Sequence, residues 1–272
     1  MCHCGVGIGG LSLRARLIHG LLALISMLWL ITPTVAAETL VLCVEKTDVR
    51  PWRTLEGTGL NFDLLNRVGK QLDLVFEYKG LPWKRCLQDL KANKYVGAIG
   101  GSFVASRIEF GAYPGGDPAD PSKRLNFDQY VLLRQKGGAV TWDGKTVNGL
   151  TGSVGIQLGY SVGEKLRALS IPVDDGSQTA LELAQKLAAG RLGAAAMLVG
   201  EANLIMATSP KLQAGLEILP VPVLEKPYYL MLSHEFVNMR GPLAKRIWDT
   251  IEVVRNSNEY QDLEKQAFAA SK

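Results

Sequence analysis

Between residues 39 and 102 the chain alternates without a break between short apolar runs and stretches whose apolar residues recur every three or four positions. Residues 39–44, T-L-V-L-C-V, form the first run. Phe62, Leu65, Val68 and Leu72 then share one face of a helix. Residues 74–78 read as the second strand. Pro82 suits the first turn of a second helix, with Cys86, Leu87 and Leu90 on its inner face. The third strand starts at Val96. Strand–helix–strand–helix–strand leaves few solutions, and the simplest is a parallel sheet with right-handed crossovers. After a Gly/Pro loop at residues 115–122 and a strand at 130–134, the same grammar returns. Strands are expected at 154–157, 171–173 and 194–199, and helices at 162–169 and from a Ser177 cap to residue 189. Two α/β units in series predict two lobes. The tail adds extended stretches at 216–223 and 228–233, broken by Pro220, Pro222 and Pro227. A helix opened by Pro242 and another at 259–269 end the chain.

The N-terminus follows a different rule. Arg14 and Arg16 precede an apolar run at 17–31, then Pro33 and small residues up to Ala37. That order is expected of a cleaved secretory signal peptide, and the run is shorter than the roughly 20 residues that span a bilayer. Residues 1–37 are therefore assigned to the signal. Their loss removes two of the 30 basic residues and none of the 26 acidic ones, leaving a nearly neutral chain. No Lys/Arg cluster is interleaved with aromatics, which argues against nucleic acid as a partner. Cys2 and Cys4 flank His3 but fall in the discarded segment. Cys43 and Cys86 remain, either as a disulfide in an exported chain or as two buried thiols.

Catalysis finds little support. His234 stands alone beside Glu235, as surface histidines do. No zinc spacing, nucleophile elbow or P-loop occurs, so no catalytic residue, metal or cofactor is assigned. The stretch 96–107, V-G-A-I-G-G-S-F-V-A-S-R, is more informative. In open α/β sheets ligands bind beyond the carboxyl ends of strands. Gly100 and Gly101 would admit a ligand close to the backbone, Ser102 offers a hydroxyl, and Arg107 a planar grip on a carboxylate. An ordinary strand exit ending on a surface arginine fits the stretch as well.

Order and spacing along residues 38–272 decide between these. The W-containing loop after the first strand, G-L-N-F-D-L-L-N-R-V-G-K-Q-L-D-L, L-P-W-K-R-C-L-Q-D-L-K, G-A-I-G-G-S-F-V-A-S-R, L-T-G-S-V-G-I-Q-L-G-Y and L-A-A-G-R-L-G-A-A-A-M occur in sequence. Together they resemble the periplasmic solute-binding proteins of family 3, the polar amino-acid transporter type. The resemblance implies an α/β, two-lobed type II periplasmic-binding fold, each lobe a sheet flanked by helices, joined by two crossing strands. Lobe 1 would comprise residues 38–127 and 230–272, and lobe 2 residues 128–229. It implies a periplasmic monomer that clamps a small carboxylate-bearing solute by hinge closure and serves an ABC-transporter permease or a membrane sensor. The rival on the same scaffold is a cyclohexadienyl-dehydratase-like lyase, favoured if an exposed carboxylate stands in the cleft beside Arg107.

Carried over residue by residue, the carboxylate-binding arginine falls on Arg107 and its hydroxyl partner on Ser102. Trp52 is the candidate aromatic over the ligand, or else a lobe-surface residue. Trp83 lines the cleft or packs in the core. The second-lobe turn falls on Gly159, Tyr160 and Ser161. One departure bears on the ligand: the ammonium-accepting aspartate of amino-acid binders is replaced by Leu198. Glu201, three residues on and past Gly200, is expected in the next helix and out of position to substitute. Ordinary α-amino acids are therefore expected to bind worse than carboxylates without the amine.

Overall fold

The computed structural model describes residues 1–3, 5 and 36–270. The body of the signal segment, including Arg14, Arg16 and Pro33, and Cys4 lie outside them. Contacts divide the chain into a unit Met1–Ala37 and a unit Glu38–Lys272; the second carries the fold. Among the described residues no helix is long and apolar enough to cross a membrane.

In chain order the elements are β1 (Glu38–Glu45), α1 (Leu60–Leu72), β2 (Leu74–Leu81), α2 (Trp83–Lys91), β3 (Gly97–Ser102), β4 (Asn126–Gln135), β5 (Thr141–Trp142) and β6 (Val147–Asn148). There follow β7 (Val154–Gln157), α3 (Val162–Ala168), β8 (Val173–Ser177), α4 (Ala180–Ala188), β9 (Ala194–Leu198), α5 (Val199–Thr208) and α6 (Pro210–Gly215). β10 (Leu216–Ile218), β11 (Leu224–Leu232), α7 (His234–Arg255) and α8 (Asn258–Ala270) complete the chain.

One sheet runs β2-β1-β3-β11-β4-β9-β7-β8, with β10 on β4, and a separate ribbon pairs β5 with β6. β1 pairs parallel with β2 and β3, and β7 parallel with β8 and β9. Each group is one of the two α/β units read from the sequence. Between them stand β11 and β4, antiparallel to each other from Leu224↔Tyr130 to Tyr228↔Asn126. β11 also pairs with β3, and β4 with β9, both antiparallel. The chain thus crosses between the groups on two mutually hydrogen-bonded strands.

Strands buried on both faces read as unbroken apolar runs. β9, A-A-A-M-L, and β7, V-G-I-Q, are buried at every position. α4 turns Ala180, Leu183, Ala184 and Leu187 inward, where they pack with Val131, Leu133, Met197 and Ile205 in a core of their own. A larger core gathers Leu42, Leu64, Leu65, Ile99, Leu132, Leu230 and Ile247. α2 brings Cys86 beneath β1, and Cys43–Cys86 is a disulfide with Cα atoms 5.7 Å apart.

The local differences from expectation have simple causes. Ser177 does not cap α4; it ends β8 opposite Gln157, and Thr179 caps instead, its Oγ1 accepting the amide of Glu182 at 3.1 Å. β8 covers Val173–Ser177 rather than 171–173 because its pairing with β7 extends past Val173. α7 starts at His234, capped by Ser233. It breaks at Arg240 (φ −129°, ψ 35°), and Pro242 sits in the first turn of its second segment, where its missing amide costs nothing.

Candidate functional site

Glu45, Ser102 and Leu198 end β1, β3 and β9, and they meet Tyr130 of β4 and Tyr228 of β11 around a cavity of about 10 Å³. That is room for one water molecule. Arg53, Trp83, Ile99, Gly100, Arg107 and Tyr160 complete its wall.

Arg107 reaches it through a tight turn, Ala105–Arg107, that sends the chain back past the end of β3. Its Nη1 donates to the Ser102 carbonyl at 2.9 Å and to Ser102 Oγ at 3.0 Å. Nη2 donates across the cleft to the Gly159 carbonyl at 2.7 Å, and the guanidinium lies 5.5 Å from the Trp83 ring centroid. The residue is 6% exposed and forms no ion pair with a carboxylate among the described residues. A desolvated planar cation held only by neutral oxygens is a receptor for an anion. Beside it Ser102 Oγ and Ser161 Oγ are 2.8 Å apart. Arg107, Ser102, Trp83, Tyr160 and Ser161 therefore come together as the sequence suggested.

Two expected residues stand elsewhere. Trp52 does not line the cavity: it is buried with its ring edge-on to Phe268 of α8, centroids 5.3 Å apart. The turn that pairs Val49 with Arg53 directs Arg53, not Trp52, inward. Gly101 does not line the cavity either. A Cβ there would stand 2.4 Å from Met231 Sδ, so its smallness serves the packing of β3 on β11.

Behind Arg107 lies an acidic cluster of which the sequence analysis weighs only Glu201, and places it out of position. Glu45, its side chain 10% exposed, accepts from Arg53 Nη2 at 2.7 Å and from the Tyr160 hydroxyl at 2.7 Å. Gln157 Nε2 donates to Tyr160 Oη at 3.0 Å and to Glu201 Oε1 at 2.9 Å. Glu201 does stand in the helix after β9, yet it is 2% exposed and turned toward Gln157 and Tyr160. Its Oε2 has no hydrogen-bond partner among the described residues.

Burial raises the Glu45 carboxyl, against the opposing pull of Arg53. Burial, then the neighbouring Glu45, pushes Glu201 up to about 8. Asp128, on β4, is pushed up to about 7 by burial. The first strand is expected from sequence to end at Val44; β1 runs one residue further, which places Glu45 at the carboxyl end where ligands bind in such sheets. Glu201 was not legible, since only the path of α5 turns it inward.

No protein-family model matches the chain, and no curated protein matches it. Solved structures do. An ancestral arginine-binding protein bound to arginine is 18% identical with a TM-score of 0.66, covering 86% of this chain and 99% of its own. A histidine kinase sensor domain with similarity to periplasmic binding proteins is 14% identical with a TM-score of 0.68, covering 85% and 96%. An ancestral amino-acid-binding protein, a precursor of cyclohexadienyl dehydratase, is 16% identical with a TM-score of 0.62, covering 85% and 95%. At these identities the likeness carries the architecture, and it runs over nearly the whole of each relative. The chain has the two-lobed fold of the periplasmic amino-acid-binding proteins.

Proposed function

We propose that the protein is an extracytoplasmic solute-binding protein that captures a small carboxylate-bearing solute and presents it to a transporter or a membrane sensor. The observation that carries this reading is Arg107, a buried cation held only by neutral oxygens at the junction of two strand groups. Lobe 1 is residues 38–127 and 230–272, lobe 2 is residues 128–229, and β4 with β11 is the hinge. A carboxylate entering the cleft takes the place of the Gly159 carbonyl on Nη2 and receives the hydroxyls of Ser102 and Ser161. Closing the lobes on it then buries the pair.

Removing one partner of a buried charge-assisted pair typically costs about 2–5 kcal/mol. Arg107→Ala is therefore expected to weaken carboxylate binding roughly 30-fold or more, read by titration calorimetry on a panel of organic acids and the twenty amino acids. Submicromolar binding of any of them retained in the variant would refute the assignment.

A second reading, a lyase, is favoured by one observation. Glu45 lines the cavity with Arg107, and Glu201, held near 8, stands behind it as a protonated acid at neutral pH. Mass spectrometry of the bound solute after prolonged incubation separates the two: unchanged mass supports binding, and loss of water or carbon dioxide supports a lyase.

A further inference from the structure

The hinge side of the cleft is filled by the protein itself. Glu45 accepts from both Arg53 and Tyr160 across it, and what remains holds about 10 Å³. On the solvent side of the contact between Arg107 and Gly159 lies a second chamber of about 270 Å³, close to the lower end of small-molecule pockets, about 300 Å³. Arg107 and Tyr160 line both. Opposite the guanidinium the outer chamber is walled by Leu87 of α2, Val104 and Phe110 from the turn after β3, and Ile156 and Leu158 around the end of β7. Its other charged side chains are exposed: Lys84 of α2, Glu164, which accepts from Ser106 at 2.6 Å, and Arg167, paired with Asp175 at 3.0 Å. One buried cation at the inner end and apolar walls outward is the complement of an amphipathic anion.

We propose that this outer chamber is the ligand's side-chain site, and that the solute is a carboxylate carrying a compact apolar body, an arylalkanoate or a medium-chain alkanoate. The inference rests on the assignment of Arg107 as the carboxylate receptor. The carboxylate sits on the guanidinium, and the body extends outward between α2 and the turn leading into α3. Each methylene buried there raises affinity about fourfold.

The test is calorimetric titration of the exported protein with acetate, octanoate and 3-phenylpropanoate. Both larger acids are expected to bind at least tenfold tighter than acetate. Leu158→Asp, which places a charge in the wall, and Gln88→Trp, which fills the chamber from an exposed position on α2, should each bring that ratio toward one. Because Gln88 is on the surface, its variant folds even if the other does not. Acetate and the larger acids binding alike, or a tenfold preference untouched by either variant, would overturn the chamber. In that case loss of acetate binding in Arg107→Ala would show the carboxylate assignment still standing. No binding of any carboxylate would overturn both.

Discussion

Glu201 has one oxygen on Gln157 and the other facing no donor. Burial of a carboxyl in this way disfavours its charged form. Its folded pKa, about 8, lies above the ordinary 4.5, so the folded state holds a proton that the unfolded chain releases. The stabilisation is complete below about 4.5 and is lost as pH rises towards 8, with a limiting slope of about 1.4 kcal/mol per pH unit for one linked group. Thermal unfolding followed by calorimetry should therefore show the melting temperature falling from pH 5 to pH 8. Glu201→Gln, which keeps the acceptor for Gln157 and removes the titration, should flatten that fall. An identical slope in the variant would mean that the linked proton resides on another raised carboxyl, Glu45 or Asp128. Residues that end strands were legible at this scale: Ser102 follows an apolar run and two glycines, and Arg107 follows it at the family's spacing. Trp52 was misplaced because a one-residue shift within a tight turn exchanges it with Arg53, and composition carries no trace of that phase.

Among the elements, α2 is fixed to β1 twice, by the inward face of Leu87 and Leu90 and by Cys43–Cys86. Closing a loop with a sequence separation of 43 restricts the unfolded chain by about 3–4 kcal/mol in the chain-entropy model. Denaturant unfolding of the Cys43→Ser/Cys86→Ser protein should show a loss of that order. Trp83 and Arg107 depend on α2 and its neighbouring turn, so weakened ligand binding should accompany the loss. Equal stability with and without reductant would show the bridge to be dispensable. The strand–helix alternation was readable because both periods are strong in 39–102. The path of β11 was less so: it runs from Leu224 through Pro227, since pairing with β4 on one side and β3 on the other outweighs a proline that, read alone, breaks a strand. No local signal encodes such pairing between distant segments.

For the whole molecule, the boundary between the two units falls after Ala37, and β1 begins at Glu38. Glu38 is tied to Arg240 of α7 by two hydrogen bonds of 2.7 and 2.9 Å, so the first residue of the expected mature chain has a partner of its own. N-terminal sequencing of the exported protein should begin at Glu38; intact chain recovered from membranes would contradict the processing. The contact between Arg107 and the Gly159 carbonyl has a consequence for how such a molecule would report its surroundings. A visiting anion competes with an acceptor that is already in place and tethered to the same chain. Measured affinity is then a difference between two similar interactions, and weak, well-hydrated ions such as chloride gain nothing by the exchange. On the proposed binding role the carbonyl sets a threshold: background salt leaves the cleft unchanged, and a solute is registered only when its fit elsewhere in the cleft tips the balance.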